Sequence, residues 1–447
     1  MSLDAPSRGS PPVRSRDDLV AWLRAGEKPA AQHRCGLETE KLGVFVDSGR
    51  PVPLTGERSI ARVLERMAAA SDGQLLVEQG VPIGIQLANA SVALEPGGQL
   101  ELSGAPSALL GDSAQEVASH LALSRRFGDE LGIAWIACGY RPWGPRPEVP
   151  WLPRGRYGLM RARLPGRLAH DMMQMTASVQ ANFDFADESD LAAKVSTATA
   201  VAPLVAAMFA NSPLVEGRPS GFKSFRYRVW KEVDDRRSGL LRVMFEPGFT
   251  YERYVDWIAN VPLIFVRRQG RYVDPEGRTF ADLMAGGLEG EPASMQDFVD
   301  HLSTLFPETR VKRVIEVRGA DAVDARTTMA LPALWTALLY DETARTEARR
   351  LIGCSFEELV SFQEEVARGA LEARLGGRSA RDLAAGLLAL ADDGLKRRHA
   401  AGIPDERPYL EPLREIVASG RTGADRTLEL YARTNGDPAA LVEAMRY

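Results

Sequence analysis

The chain has 447 residues, of which 45% are hydrophobic and 26% charged, and its formal net charge is -5. A chain of this length can bury a large core, and its composition is that of an ordinary globular protein. The acidic balance excludes the clustered cationic excess that a phosphate backbone demands, so no nucleic-acid partner is expected.

Residues 1–15, "MSLDAPSRGSPPVRS", are rich in Pro, Ser and Arg and lack the apolar core of a secretory signal. A disordered tail is expected there, followed by one domain over 16–447. "SRDDLVAWLRAG" predicts a short helix, with Ser15 and Asp18 as a capping box and Gly26 as its stop. "LETEKLGVFV", "GQLLVEQG" and "GQLELSGAP" alternate like strands, with the helix "ERSIARVLERMAAA" among them. "GDSAQEVASHLALSRRFGDELG" has helical spacing, "IAWIACGY" reads as a buried strand, and the Pro-rich "RPWGPRPEVPWLPRGRYG" reads as a loop. "ASVQANFDFA" predicts a strand. After it comes a long apolar segment containing "VSTATAVAPLVAAMFANSPLV", whose Pro203, Ser and Thr favour a buried helix over a membrane span. "VPLIFVRR" and "VKRVIEVRG" predict later strands, and 331–447 is nearly all helical in pattern. Strands mixed irregularly with helices, without a βαβ rhythm, predict an α+β fold with a mostly antiparallel sheet. The three cysteines, Cys35, Cys138 and Cys354, are scattered, so no zinc or disulfide framework follows, and a cytoplasmic protein without membrane attachment is expected.

Side chains two apart on a strand share a face. Glu38 is therefore grouped with Glu40, Glu316 with Arg318, and Gln180 with Asn182 and Asp184. Glu101 is grouped with Gln99 and Ser103, and Glu95 stands just before a Pro-Gly-Gly turn. Any one such strand is ordinarily explained by a solvated face. As a set the acids argue otherwise, because glutamate is depleted in strands and crowded carboxylates repel unless cations neutralise them. All-oxygen ligands of this kind suit Mg²⁺ or Mn²⁺. No His-Glu zinc motif, nucleophile elbow, P-loop or dinucleotide fingerprint is present. What remains is phosphoryl transfer from a nucleotide, which rests on positioning and charge neutralisation. Arginines would be expected on the phosphates or on substrate carboxylates. Arg318 is one candidate, and "SFRYRVW", read as a strand, places Arg226 and Arg228 on one face.

"GLETEKLG", "LEPGGQLELSGAP", "DMMQMTASVQANFDF", "FANSPLVEGRPSGFKSFRYRVW", "VIEVRGAD", "LPALWTALLYD" and "LELYAR" together resemble the glutamate–cysteine ligase family of the plant and proteobacterial type. The resemblance implies a glutamine synthetase-like catalytic fold, with an antiparallel sheet curled into a funnel. It implies ATP-dependent joining of the L-glutamate γ-carboxylate to the amino group of L-cysteine through γ-glutamyl phosphate, the first step towards glutathione. By the same resemblance Glu38, Glu40, Glu95, Glu101 and Glu316 are metal ligands or their near neighbours. Arg318 and Gln180 contact the nucleotide phosphates or their metal. Arg318 and Glu316 serve catalysis, Arg226 clamps the glutamate α-carboxylate, and Trp230, Thr176 and Met175 line the substrate site. The long segments at "RPWGPRPEVPWLPRGRYG" and "KEVDDRRSG" are candidate covers. A monomer or weak homodimer is expected. The chain departs from the plant pattern in its isolated cysteines, so no redox switch is expected, and around Gln174. Another amine acceptor, a different thiol pathway such as that of ergothioneine, or a non-catalytic nucleotide-binding homologue remain the alternatives.

Overall fold

The computed structural model describes residues 10–447. Residues 1–9 of the expected tail lie outside the described residues. Ser10–Ser15 differ from the expectation, because Val13 gives this stretch an apolar anchor. Val13 is buried and its N–H donates to the Ala293 carbonyl at 2.8 Å, while Ser10 Oγ accepts from the Gln296 N–H at 2.9 Å. The chain then enters helix α1 (Arg16–Arg24) through the Ser15–Asp18 capping box.

The centre of the molecule is one antiparallel sheet. Its longest strand, β1 (Cys35–Phe45), is used twice. Its first half pairs with two neighbours, and Leu42–Phe45 pairs separately with β6 (Ile133–Ile136). On one side of β1 run β5 (Leu100–Ser103), β4 (Ser91–Leu94), β3 (Val81–Gln86) and β2 (Gln74–Glu78). On the other run β7 (Ser178–Phe183), β9 (Ile315–Asp321) and β8 (Thr309–Val311). Strands β3 and β4 carry no clear sequence signal, since Pro82 and Gly84 depress β3. Gly84 is needed there: a Cβ would meet the Val92 carbonyl of β4 at 2.5 Å.

The register aligns the polar residues into a row. Glu40 lies opposite Glu101, and Glu38 lies between Ser103 and Gln180. Asn182 lies opposite Glu316, which in turn faces Arg310. Between Val317 and Ala320 the β9–β7 pairing slips, so Arg318 and Gly319 form a bulge. Thr39, between the acids, and Lys41, after them, turn to the other face and are buried there. This alternation puts the acids on one side of the sheet by geometry alone.

Helices pack around the sheet. α2 (Ile60–Ala69) and α3 (Leu110–Asp129) cover the β2–β6 side. The expected Pro-rich loop ends earlier than its sequence suggests, because Gly155–Arg163 form helix α4. A second short helix, α5 (Ala169–Met175), leads into β7. α6 (Glu188–Met208) is capped by Asp187 and packs on β9. It is long and apolar enough to cross a membrane by composition, but 83% of that stretch is buried inside the fold, so it is a core helix. Residues Phe225–Trp230 form helix α7 rather than the expected strand. Further on, α8 (Met295–Leu302) precedes β8. From residue 330 onward the chain is helical as expected, including α9 (Ala330–Tyr340), α10 (Phe356–Gly369), α11 (Ala380–Ala400), α12 (Gly423–Thr434) and α13 (Pro438–Met445).

Candidate active site

The acid-bearing face of the sheet floors a cleft of about 1060 Å³. Three kinds of wall meet there.

The first wall is acidic. Glu38 and Glu40 of β1, Glu101 of β5 and Glu95 all line the cleft. Glu95 is placed by the β4–β5 turn, in which its carbonyl accepts from Gly98 at 2.8 Å and its N–H donates to Gln99 at 3.0 Å. Glu95 Oε1 is buried with no hydrogen-bond partner. Burial and the neighbouring charges of Glu101 and Glu40 push the Glu95 carboxyl well above the usual carboxylate range. Burial and Glu101 raise Glu40 to about 7. Among the described residues no three such side chains already converge as a preformed metal centre. The set is spread along a strand, its partner and a turn. That arrangement fits Mg²⁺ or Mn²⁺ held by one or two carboxylates each, with substrate phosphates completing the ligand shell. The crowding and the unpartnered Glu95 oxygen both call for a cation.

The second wall is cationic. Arg310 of β8 and Lys312 just after it both line the cleft, and Arg318 projects from the β9 bulge. All three converge on Glu316. Arg310 grips it with two bonds, at 2.9 and 2.7 Å, Lys312 lies at 3.0 Å, and Arg318 pairs with it closely. These cations hold the fully buried Glu316 well below its ordinary pKa, against the desolvation that would raise it. Glu316 is also one of the expected metal ligands. Both Glu316 oxygens are occupied, so in this structure it anchors the cations, and a metal would have to displace one of them to be bound. Gln180 links the two walls: its Oε1 accepts from Arg318 at 2.8 Å and its Nε2 donates to Glu40 Oε1 at 3.2 Å. Asn182 donates to Glu38 at 3.1 Å.

The third wall is apolar. Met172, Met173 and Thr176 lie on one face of α5 and its end, and line the cleft. Met175 does not: it is buried away from the cleft, and its carbonyl accepts from Arg141 N–H at 2.7 Å. The Thr176 hydroxyl donates back to the Met172 carbonyl at 2.6 Å, and the Thr176 carbonyl accepts from Gln99 at 2.9 Å. Trp22, Val299, Leu302 and Phe306 close the far end.

Arg226 and Trp230 come from α7. As a helix, α7 separates Arg226 from Arg228: Arg226 is 1% exposed at the cleft, whereas Arg228 pairs outward with Glu232. Arg226 donates to the Gly319 and Arg318 carbonyls at 3.2 and 2.9 Å, which braces the bulge. Its Nε is buried without a partner. Arg226 and Arg318 both lie over the Trp230 ring, at 5.7 and 5.8 Å from its centre. Behind Arg226 sits the buried Asp321, 4.0 Å from its Nη1. The Asp321 carboxylate accepts from Asn211 N–H at 2.8 Å, Ser212 Oγ at 2.7 Å and Ser224 Oγ at 2.9 Å.

Several cleft residues have no expectation behind them: Arg156 and Tyr157 of α4, Ser178, Arg310 and Lys312. The strand alternation of "TRVK" carried a signal for the last two. α4 lay inside a segment read as a loop. The "KEVDDRRSG" segment is not a cover: no residue of it lines the cleft, and Asp234 instead ties Arg236 and Arg237 into a local turn.

The model of the glutamate-cysteine ligase family 2 matches residues 34–444. Glutamate–cysteine ligase A, chloroplastic, of Oryza sativa subsp. indica is 40% identical over 423 residues, covering 93% of this chain and 85% of the relative. The chloroplastic glutamate–cysteine ligase of Arabidopsis thaliana is 38% identical over 423 residues, covering 93% and 80%. The crystal structure of a Francisella tularensis glutamate–cysteine ligase in complex with AMP has the same fold, with a TM-score of 0.53 at 13% identity over 92% of this chain and 87% of that one. A match along nearly the whole chain, on a sheet whose acidic and cationic walls face each other, establishes that the chain belongs to glutamate–cysteine ligase family 2.

Proposed function

We propose that the chain joins the γ-carboxylate of L-glutamate to the amino group of L-cysteine, driven by ATP, as the first step of glutathione synthesis. The observation that carries this reading is the juxtaposition of four carboxylates with Arg310, Lys312 and Arg318 across one cleft. Phosphoryl transfer needs these two charge types on either side of the transferring group.

Glu38, Glu40, Glu95 and Glu101 would hold Mg²⁺ or Mn²⁺, which when bound supplies Lewis-acid neutralisation of phosphate charge. The chain's own residues do the rest. Arg318 is fixed by Glu316 and Gln180, so its charge is preorganised toward the phosphates and no rearrangement is needed during the transfer. Arg226 and the face of Trp230 orient the glutamate, whose α-carboxylate suits the unpartnered Arg226 Nε. Its γ-carboxylate oxygen attacks the terminal phosphorus and ADP leaves. The cysteine amine then attacks the acyl carbon of γ-glutamyl phosphate, the C–O bond breaks, and phosphate departs with its electron pair. The Met172–Met173 wall keeps water from the acyl phosphate. The free thiols of Cys35, Cys138 and Cys354 suit a reducing cytoplasm, and a monomer or weak homodimer is the assembly we propose.

The test is ADP release by the purified chain with ATP, Mg²⁺ and L-glutamate against a panel of amines. Release dependent on L-cysteine supports the reading. Release with a different amine reassigns the acceptor, and no release with any amine refutes catalysis.

A further inference from the structure

Asp321 faces Arg226 with one carboxylate oxygen and Asn211 with the other. Beyond Asn211 a second cleft, of about 820 Å³, opens between α12 and α13. It lies outside the cleft described above and none of the proposed chemistry uses it.

The cleft has a cationic and apolar lining. α12 turns Arg426, Thr427, Leu430 and Arg433 toward it. Their spacing places them along one helical face, with about 10 Å of rise between the two arginines. Neither guanidinium is in an ion pair among the described residues, although Glu415 lies near enough to feel the charge of Arg426; arginines nearby are paired, Arg421 with Glu429 and Arg326 with Glu415. Arg446 closes the opposite wall, where its terminal nitrogens pair with Asp129 and Glu443 and only its Nε is buried with no acceptor. Asp324 is the acid of the lining, and its carboxylate already accepts from the Thr327 N–H and hydroxyl at 3.0 and 2.8 Å. Two guanidiniums outside any ion pair, Arg426 and Arg433, thus face a cleft whose one carboxylate is engaged elsewhere. That arrangement calls for an anion with several oxygens, because a guanidinium donates in parallel to carboxylate or phosphate.

The cleft is also physically joined to the active site. Gly423, the first residue of α12, is so close to Asn211 Oδ1 that a Cβ would collide with it. Ala424 N–H donates to the Ala210 carbonyl at 3.0 Å. The Asn211 side chain donates to the Ala137 and Ala322 carbonyls, both at 2.8 Å, and its backbone N–H holds Asp321. A shift of α12 therefore bears on Asn211, then on Asp321, then on Arg226.

We propose that this second cleft is a regulatory site for a small dianion, a polycarboxylate or a phosphate, held between Arg426 and Arg433 and coupled to glutamate binding through Asn211 and Asp321. Its coupling half rests on the proposed ligase activity, and its binding half does not.

The experiment titrates the full chain calorimetrically with citrate and, separately, with inorganic phosphate. At least one should bind saturably, and the paired variant Arg426→Ala/Arg433→Ala should weaken it by about tenfold or more, the loss expected for two charge-assisted contacts. The pair is exposed on α12, so its anion-free turnover should stay within about twofold of the parent. In the parent, saturating anion should shift the KM for glutamate, and in the paired variant that component of the shift should vanish. Citrate alone binding identifies a polycarboxylate ligand, and phosphate alone a phosphate ester; either supports the site. Binding of neither, or binding that the paired substitution leaves unchanged, overturns it. Binding without any variant-sensitive shift in KM overturns the coupling. A chain without ligase turnover would still give the binding result, so the two readings fail separately.

Discussion

Asp321 holds Arg226 from within the core, through contacts that come from two separate stretches of the chain, 211–212 and 224–226. Replacing it with Asn keeps one acceptor oxygen but removes the charge facing the guanidinium. Asp321→Asn should raise the KM for glutamate about tenfold and reduce stability by about 1–3 kcal/mol; an unchanged KM in steady-state assays would mean that Arg226 is held by the bulge carbonyls alone. Glu308 makes a second residue-level prediction. It is buried next to Arg226 and Arg318, and its Oε2 has no partner. Burial outweighs the pull of the arginines and lifts its carboxyl to about 7. A carboxyl raised in the folded state favours folding while protonated. That contribution is complete below the unfolded pKa of about 4.3 and is lost as pH rises through about 7. The loss is at most about 4 kcal/mol. Glu308→Gln should therefore flatten the fall in melting temperature between pH 5 and pH 8, and equal slopes in the two proteins would refute it. At this scale the sequence was readable where residues alternate on one strand, as at Glu38, Glu40, Glu316 and Arg318. It was silent on Asp321, because the partners that give that residue its role lie more than a hundred positions away or on other elements.

Helix α7 shows what short elements conceal. "SFRYRVW" is rich in aromatic and branched residues, and a six-residue segment gives too few turns for periodicity to separate helix from strand. The structure resolves it as a helix, capped by Ser224, whose side chain accepts from Tyr227 N–H at 3.1 Å. The consequence is a sharp difference between two arginines read as equivalent. Arg226→Ala should abolish most turnover, whereas Arg228→Ala, which loses only the partly exposed Glu232 pair, should leave KM unchanged and alter stability by no more than about 1 kcal/mol; parallel losses in both variants would contradict the helix. The β4–β5 turn supplies the companion prediction. Any side chain at Gly97 would collide with the Gln174 backbone of α5. Gln99 meanwhile ties the same turn to the Met173 and Thr176 carbonyls at 3.1 and 2.9 Å. Gly97→Ala must push α5 away, moving Met172, Met173 and Thr176 together relative to Glu95. It should cost about 1–3 kcal/mol in denaturant unfolding and a larger share of activity than that loss of stability explains. Glycine at this turn was visible in the sequence, but the element it makes room for was not.

At the scale of the whole molecule, the α+β class, the antiparallel sheet and the helical 331–447 region followed from alternation and helical spacing, because those patterns are local. The two-sided use of β1 and the pairing of Glu316 with Arg310 did not, because strand order is decided by contacts distant in sequence. The assembled site has a thermodynamic signature. Its carboxylates are close enough to raise one another's pKa, yet no three converge as a finished metal centre. A divalent ion alone therefore finds too few ligands. A nucleotide alone meets Arg310, Lys312 and Arg318 with its phosphates but is repelled by Glu40 and its neighbours. Each should stabilise the fold weakly, and the two together strongly. With the metal–nucleotide pair acting as one ligand at a hundredfold excess over its dissociation constant, the gain should approach about 2.7 kcal/mol, read as a rise in melting temperature with a non-hydrolysable ATP analogue and Mg²⁺. Glu40→Gln should shrink the extra gain from combining them, since it removes one ligand and part of the repulsion at once. Chelation of the metal should return the parent to the nucleotide-only value. If Mg²⁺ alone produced the full rise, the ion would be binding a site complete without phosphates, and the open carboxylate array described above would be wrong.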